Sequence, residues 1–463
     1  MIGASTRASL ALLVLSAAGA AQERTPPSVP WNLCIYAAID NSAEADDNFF
    51  GFLDDVRGAC ADDPGVRILL FADRSAEYSS NKSSLGEDFT GARLYRVGAA
   101  SCERLDGGTE LPELSGTGEH ELDSADPQHV GRFLAWAKAR FPAQHTLLML
   151  YGHADGRAMC PDEDARTEMG FARLTEAVPE EQSVDLMALE LCYMGGVEIA
   201  YQWRPGTGGF STHYLVAIPN AGPPLDWERV FARLRTGAPG EGQVDPATLT
   251  PEAFGALIVE EGGRGRLAMA EREPRRAARL RTESVRCCDL TRVEEVKVAV
   301  DAFAVALAAG GDREAFERDV RGPGPAGTVL NFSHDNLLVD PFVDLHDLAS
   351  RAAACEALGE PARAAAADVV RAVNACVTAS WGGPDLPRFV PGASGLAITC
   401  PTAAGWADCR WYSPNDVPLV GGRWAWCQDG ATPGDGVVEN WFELLDAWFD
   451  AASPEPGVNG YAW

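Results

Sequence analysis

Short apolar runs alternate with amphipathic stretches along the first half of the chain. Runs of strand length occupy residues 32–39, 66–72, 92–97, 145–153, 184–191 and 213–219. The stretches between them predict helices at 43–56, 127–141 and 195–203. Alternation of this kind is typical of a mainly parallel sheet with helices on both faces. The pattern therefore predicts an α/β fold.

Helix boundaries are marked by a few local signals. Asp126 and Pro127 predict the N-cap and the first residue of a helix. Thr291 and Glu294 have the spacing of a capping box, which predicts a helix that ends near residue 308. Weaker patterns predict helices at 343–358, 360–380 and 441–448, and a short strand at 395–399. The second half therefore reads as a mixed region.

Charge excludes some classes of partner. The chain has 463 residues and a formal net charge of −29, so a nucleic acid or an anionic membrane surface would be repelled. A basic peptide or protein would be attracted. One local exception is an arginine-rich stretch, for which a solvated helix face is the usual explanation. It contains Arg264, Arg266, Arg272, Arg275, Arg276, Arg279 and Arg281.

The first twenty residues have the pattern of a secretory signal peptide. Arg7 precedes a short apolar stretch, and Ala18, Gly19 and Ala20 form a small-residue cleavage pattern. The apolar stretch is too short to span a bilayer. We therefore expect loss of residues 1–20 and a secreted or periplasmic monomer without a membrane span.

Cysteine content also bears on the compartment in which the protein is found. The chain has 12 cysteines, which an oxidising compartment tends to pair. Cys400, Cys409 and Cys427 lie close together in a loop-rich region and are the predicted disulfide partners. If one cysteine elsewhere is catalytic, eleven remain, and an odd number leaves a further free thiol or an intermolecular bond.

Two strands of the predicted sheet lead to reactive side chains. The run at 145–153 ends on His153, and the run at 184–191 is followed by Cys192. The carboxyl ends of parallel strands lie at one edge of the sheet, where α/β folds bind ligands. An imidazole beside a thiol can take its proton or stabilise the thiolate. The alternative is that Cys192 is a buried thiol and His153 an unrelated loop histidine. For such a pair of residues, this alternative is about as frequent as a catalytic pair.

Neighbouring groups extend this arrangement. Glu190 points to the same side of its strand as Cys192 and suits recognition of an arginine or lysine side chain. The backbone N–H groups of Ala154 and Cys192 are candidates for an oxyanion hole. A helix that begins near Gly195 is expected to lower the pKa of the Cys192 thiol. Cys160 is a weaker candidate thiol, because it lies in a predicted loop.

At these residues the sequence resembles the clostripain family of cysteine peptidases, which have a caspase-like fold. "HTLLMLYGHADG" resembles the family's histidine segment, and "VDLMALELCYMGGVEIAYQW" resembles its cysteine segment. "WNLCIYAAIDNSAEAD" resembles its opening strand and turn, and "VRCCDLTRVEEV" and "PGASGLAITCP" resemble pieces of its C-terminal half. The resemblance implies cleavage after arginine or lysine, with His153 as general base and Cys192 as nucleophile.

The resemblance also implies roles for other residues. Glu190 replaces a family aspartate that helps bind the basic side chain, and Ala154 replaces a usual glycine. Members are often cut between the two catalytic segments, and Arg166 is the predicted processing position. We expect no required cofactor and no metal. Some members use calcium, which remains possible here at residues 162–164, although a solvated acidic loop is the more frequent explanation.

The resulting prediction is a secreted cysteine endopeptidase with peptide or protein substrates that contain basic residues. Its expected parts are a signal peptide at 1–20, a caspase-like catalytic domain at 31–235, a connecting insertion at 236–285 and a C-terminal region at 286–463. The alternative is a catalytically inactive relative that binds peptides, and the departures at Ala154 and Glu190 motivate it.

Overall fold

The computed structural model describes residues 27–42, 48–60, 63–78, 84–116, 118, 120–322, 327–332, 341–416, 423–450, 457, 460–461 and 463. Its strands are β1 (Val29–Ile39), β2 (Val66–Arg74), β3 (Gly91–Val97), β4 (Cys102–Arg104), β5 (Ala143–Tyr151), β6 (Met159–Asp162), β7 (Thr167–Met169), β8 (Val184–Glu190), β9 (Thr212–Ala217), β10 (Ser284–Asp289), β11 (Phe342–Asp344), β12 (Val377–Gly382) and β13 (Ala397–Thr399).

The helices lie mostly between these strands. They are α1 (Asn48–Cys60), α2 (Pro127–Arg140), α3 (Phe171–Ala177), α4 (Val197–Gln202), α5 (Trp227–Ala232), α6 (Pro251–Arg272), α7 (Ala277–Leu280), α8 (Val293–Gly310), α9 (Arg313–Ala315), α10 (Leu345–Ala354), α11 (Gly359–Cys376), α12 (Ala425–Gln428) and α13 (Trp441–Phe449). Among the described residues, no helix is long and apolar enough to cross a bilayer.

One large sheet organises the molecule. Its strand order is β12-β10-β9-β8-β5-β1-β2-β3-β4. The five central strands, from β9 to β2, are parallel to one another, and the strands outside them pair antiparallel. The predicted mainly parallel α/β fold is confirmed. Strands β10 and β12 lie beyond residue 235, so the sheet continues past the predicted end of the catalytic domain.

The alternation of side chains along β1 supplies two cores. Cys34 and Tyr36 pack on one face with α2, α8 and α11. Leu33 and Ile35 pack on the other face with α1, α5 and α6. Because both faces are covered, β1 is apolar at every position except Asn32, and burial of this surface drives folding. The two layers hold the carboxyl ends of the central strands in fixed relative positions.

Of the helix boundaries predicted from local sequence signals, some are confirmed and others are wrong. The Asp126 side chain accepts a hydrogen bond from the Gln128 N–H at 2.9 Å, which confirms the predicted cap of α2. The predicted capping box is wrong, because Asp289 accepts from the Thr291 N–H and caps the turn before α8. The predicted helix at 360–380 ends at Cys376, because the next six residues pair with β10.

The expected disulfides are not formed. Every cysteine whose side chain is described is a free thiol. Cys400, Cys409 and Cys427 are buried within the core that contains α13, where each serves as a small apolar side chain. Of the predicted helix at 43–56, residues 43–47 lie outside the described part of the chain, and α1 begins at Asn48.

Candidate active site

Strands β5 and β8 place His153 and Cys192 at matching positions. Tyr151 of β5 is the register partner of Glu190 of β8, and the histidine and the cysteine each follow two residues later. The Gly152 N–H donates to the Glu190 carbonyl at 3.4 Å, so the strands stay paired to their ends. Both reactive side chains line one cleft of about 540 Å³.

His153 faces the cleft from its solvent side. Its Nε2 lies 3.2 Å from the Ser42 hydroxyl oxygen, which follows β1 in the chain. Although the ring is exposed, the surrounding protein disfavours its charged form and lowers the pKa of His153 below the usual 6.5. The imidazole is therefore neutral at pH 7 and able to accept a proton.

Cys192 is half-buried and lines the same cleft as His153. Its Sγ lies 4.0 Å from the Gly222 carbonyl oxygen. Burial raises the pKa of the thiol above its usual value. The predicted lowering by a helix N-terminus is therefore wrong, since α4 begins only at Val197 and is six residues long.

The residue after the cysteine has an unusual backbone conformation. Tyr193 has a φ of +60°, which costs a non-glycine residue roughly 1–3 kcal/mol. Its N–H donates to the Asn220 carbonyl at 3.1 Å. This bond ties the turn after Cys192 to the segment that follows β9.

The predicted oxyanion groups lie beside the two reactive side chains. Ala154 forms an isolated bridge with Met159. The hydrogen bonds of that bridge come from the N–H groups of Asp155 and Cys160, at 3.3 and 2.8 Å, and not from Ala154. The Ala154 N–H therefore does not donate a hydrogen bond within this bridge. An oxyanion donor must have its N–H available in this way.

Glu190 lines the same cleft from its floor. It is 8% exposed. Trp227 donates to its Oε1 at 2.7 Å, and the Leu225 N–H donates to its Oε2 at 3.0 Å. Burial raises the pKa of Glu190, and these two hydrogen bonds oppose the shift. The carboxylate is thus fixed in position while each oxygen keeps a lone pair for a ligand.

A buried ion pair behind one wall of the cleft was not predicted from the sequence. Arg266 and Glu283 form a salt bridge at 2.8 Å and are both at most 3% exposed. Arg266 also donates to the carbonyls of Pro223 and Pro224, which line the cleft. A Cβ at Gly222 would lie 2.8 Å from a Glu283 carboxylate oxygen, so a larger residue here would displace that carboxylate.

The arginine-rich stretch divides into different environments. Arg266 is buried in the ion pair, so a solvated face is wrong for this residue. Arg276 and Arg279 line the cleft, and the Arg279 Nε lies 3.9 Å from Glu283. Two cations therefore stand at the mouth of the cleft, above a floor that carries a carboxylate.

The predicted processing position and the competing thiol both lie on the hairpin of β6 and β7. Arg166 is exposed in the turn between these strands, with a φ of +58°. Cys160 is fully buried, and burial raises its pKa to about 12. An inaccessible thiol of this kind is not a nucleophile.

The acidic residues of this hairpin are not equivalent. Among the described residues, the Asp162 carboxylate lies within 4.8 Å of ligand oxygens of Asp40 and Glu121. Glu163 and Asp164, which the sequence associates with Asp162, are exposed in the turn and are not members of that cluster. If the hairpin binds a cation, the ligands therefore come from three separate segments.

The sequence matches a known protein family over most of its length. The model of the clostripain family matches residues 41–448. The chain belongs to the clostripain family. Clostripain from Hathewaya histolytica is 31% identical over 479 residues, which cover 92% of this chain and 89% of that protein. The protein is therefore a cysteine-type peptidase with a caspase-like fold, which confirms the resemblance found in the sequence.

Two solved structures have the same fold. The inactive zymogen of a C11 protease from Parabacteroides distasonis gives a TM-score of 0.55 at 16% identity, covering 84% of this chain and 96% of that chain. The secreted C11 cysteine protease iotapain from Bacteroides thetaiotaomicron gives a TM-score of 0.55 at 11% identity. The match covers 81% of this chain and 94% of that chain. At these identities the likeness concerns the fold alone.

Proposed function

We propose that this clostripain-family peptidase cleaves peptide bonds after arginine or lysine, with Cys192 as nucleophile and His153 as general base. The observation that carries the proposal is the shared register of β5 and β8, which brings the imidazole and the thiol into one cleft above Glu190. This arrangement contains a nucleophile, a base and a site for a cationic side chain.

The protonation states favour a neutral resting pair. Burial disfavours both thiolate and imidazolium, since it raises the pKa of Cys192 and lowers that of His153. We propose that His153 takes the thiol proton as sulfur attacks the peptide carbonyl, and then donates it to the leaving amine. Water, deprotonated by the same imidazole, hydrolyses the thioester and regenerates the thiol.

Ser42 and the backbone near the dyad have supporting roles in this proposal. The Ser42 hydroxyl is paired with Nε2 of the imidazole, which leaves Nδ1 to exchange the proton with Cys192. The N–H groups of Ala154 and Cys192 would stabilise the tetrahedral oxyanion. Ala154 is not among the residues that line the cleft, and its N–H is the same donor that a glycine would supply at this position.

Glu190 supports the choice of a basic substrate side chain. Its carboxylate is fixed by Trp227 and Leu225 at the floor of the cleft. A guanidinium or ammonium group bound there would favour the ionised carboxylate that burial disfavours. The net charge of −29 would also attract basic peptides.

Activation by cleavage is part of the proposal. Arg166 is exposed in a turn between two short strands, where a protease can reach the backbone. Arg173, by contrast, lies within α3. The same chemistry that the cleft is proposed to perform would cut this turn after Arg166.

We also propose export of the mature chain to the periplasm or the medium. The support is the sequence of residues 1–20, with its charged start, apolar stretch and small-residue cleavage pattern. These residues lie outside the described part of the structure.

Fluorogenic peptides that end in arginine, lysine or alanine test the proposed activity. Turnover of the first two, with none for the alanine peptide and none for the Cys192→Ala variant, is the expected result. The chain is assayed intact and after limited trypsin nicking. Peptide binding without turnover in both forms would contradict the proposal and favour the inactive, peptide-binding alternative.

A further inference from the structure

Two buried thiols lie together near the last strand of the large sheet, apart from the cleft. Cys288 belongs to β10, and Cys376 is the last residue of α11. Cys288 is the register partner of Val377, the residue after Cys376, and an irregularity in the pairing falls between Cys287 and Cys288. Cys288 and Cys376 pack in one core, whereas Cys287 packs in the core on the other face of the sheet. A hydrogen bond joins the thiols of Cys288 and Cys376.

A buried arginine contacts the first of these thiols. Nη1 of Arg286 lies 3.3 Å from Sγ of Cys288, and Nε donates to the Gly195 carbonyl at 3.4 Å. Arg286 is 0% exposed, and its Nη2 has no hydrogen-bond partner. Within the described ranges, no carboxylate pairs with this guanidinium. A guanidinium stays charged in proteins, and a buried charge without a counter-ion is costly. The sulfur of Cys288 is therefore the group in contact that can supply the negative charge.

We propose that Arg286 holds Cys288 as a thiolate, and that Cys288 and Cys376 form a disulfide on reaction with a low-molecular-weight disulfide such as oxidised glutathione. The thiolate is the species that attacks a disulfide. Both residues are free cysteines in the structure, which is the reduced form of this dithiol site. The inference concerns a part of the molecule outside the cleft and does not rest on the proposed peptidase activity.

The ionisation of the two thiols agrees with this assignment. Burial acts to raise the pKa of Cys288, as does the Asp289 carboxylate, but the hydrogen bond from Cys376 and the Arg286 charge outweigh both and lower it. The hydrogen bond to Cys288 and burial raise the pKa of Cys376, whose Sγ also lies 3.5 Å from the Asp289 carbonyl oxygen. One thiol therefore attacks first, and the other keeps its proton until the second step.

The reaction consists of two thiol–disulfide exchanges. The Cys288 thiolate attacks one sulfur of oxidised glutathione, so a mixed disulfide forms, the original S–S bond breaks, and glutathione leaves as a thiolate that takes up a proton. Cys376 then loses its proton to solvent and attacks the Cys288 sulfur, which releases the second glutathione as a thiolate. In sum, two protein thiols are oxidised and one glutathione disulfide is reduced to two thiols.

The position of the dithiol site in the fold allows a small oxidant to reach it. Strand β12 is the edge strand of the large sheet, and residues 378–382 are partly exposed. Local opening at such an edge costs less free energy than global unfolding. An exported chain, as proposed above, would also meet an oxidising compartment.

Peptide mapping by mass spectrometry tests this inference apart from any activity. The Cys192→Ala variant, which serves as the parent, is reduced, incubated in its folded state with oxidised glutathione, alkylated and digested. We expect a Cys288–Cys376 linked peptide with no glutathione retained on either residue. Added Cys376→Ser should instead leave one glutathione on Cys288.

Two further substitutions in the same parent separate the role of the arginine from a general effect. Arg286→Gln should slow formation of the linked peptide at least tenfold, because the thiolate loses its counter-ion. Cys287→Ser is the matched control, since Cys287 is equally buried, faces the other core and has a pKa that burial raises to about 12. It should change the rate less than threefold.

Thiolate absorbance in the ultraviolet keeps the test decisive if Arg286→Gln folds poorly. At pH 7 the parent should contain one thiolate more than Cys288→Ser, whereas Cys287→Ser should match the parent. No linked peptide in the parent, a link through Cys287, or equal thiolate content in the parent and Cys288→Ser would overturn the inference. None of these outcomes bears on the proposed peptidase activity, because every protein in the test lacks Cys192.

Discussion

Tyr151 and Glu190 are register partners on adjacent parallel strands, and the two reactive side chains stand two residues beyond them. This relationship, and not a shared loop, brings His153 and Cys192 into one cleft. A slip of one residue between β5 and β8 would turn one of the side chains to the opposite face of the sheet. The apolar layers on both faces therefore support the chemistry by fixing the register.

The pH dependence of the reaction follows from the neutral state of His153. Its pKa lies below 6.5. The imidazole therefore becomes protonated, and stops acting as a base, only when the pH falls through this lowered pKa. The acid limb of kcat/KM should therefore have an apparent pKa below 6.5, with activity retained from there to neutral pH. Measurement of kcat/KM on an arginine peptide from pH 4 to 9 checks this. An acid limb above pH 7 would show that the imidazole is not the neutral base we describe.

Removal of the Ser42 hydroxyl should lower activity without abolishing it. Ser42→Ala loses one hydrogen bond to Nε2 of His153, and a bond of this kind contributes about 0.5–1.5 kcal/mol. We expect kcat to fall roughly two- to tenfold, which is that free energy expressed as a rate, with little change in KM. Unchanged kcat would mean that the contact does not orient the imidazole.

Arg279 should weaken the binding of peptides with a basic side chain, if the cleft accepts them as proposed. Its guanidinium lines the cleft and lies 3.9 Å from Glu283. Arg279→Ala removes a like charge, and exposed charge pairs contribute about 0.2–1 kcal/mol. We expect KM for arginine and lysine peptides to fall roughly 1.5- to fivefold.

Arg275→Ala is the matched control for that change, because Arg275 is exposed on the same segment and is not among the residues that line the cleft. An equal fall in KM for both variants would indicate a general charge effect. A rise in KM for Arg279→Ala alone would show that this arginine contributes to substrate binding.

Processing of the chain should depend on the turn between β6 and β7. Arg166→Ala should leave the protein as a single chain, whereas Arg173→Ala, within α3, should be processed as in the parent protein. Gel electrophoresis and N-terminal sequencing of the mature protein distinguish these outcomes. An active parent preparation that consists of one intact chain would refute cleavage at Arg166 as an activating step.

The parts of this protein that sequence predicts best are those set by local patterns. The apolar runs of β1 and β8 are fixed by burial on both faces, and Asp126 caps α2 with its own side chain. The strand ends then indicate His153 and Cys192, because parallel strands direct their carboxyl ends to one edge of the sheet.

Features that depend on tertiary contacts were not predictable in the same way. The residues of β12 follow an alanine-rich helix and form a strand only because β10 lies beside them. Glu283 and Arg266 read as ordinary surface charges until the fold buries them together. Burial of the Cys192 thiol, which raises its pKa, likewise depends on the packing of residues that are distant in sequence.

The central claim is that Cys192 is the nucleophile of a cleft that accepts a basic side chain. Labelling of the protein with an arginine-derived alkylating reagent, followed by mass spectrometry of its peptides, tests this most directly. We expect one label per chain on Cys192, slowed by an arginine peptide and absent in His153→Ala at matched exposure. Labelling of Cys192 no faster than of Cys102 or Cys355, which are the other partly exposed thiols among the cysteines that the structure describes, would contradict the claim.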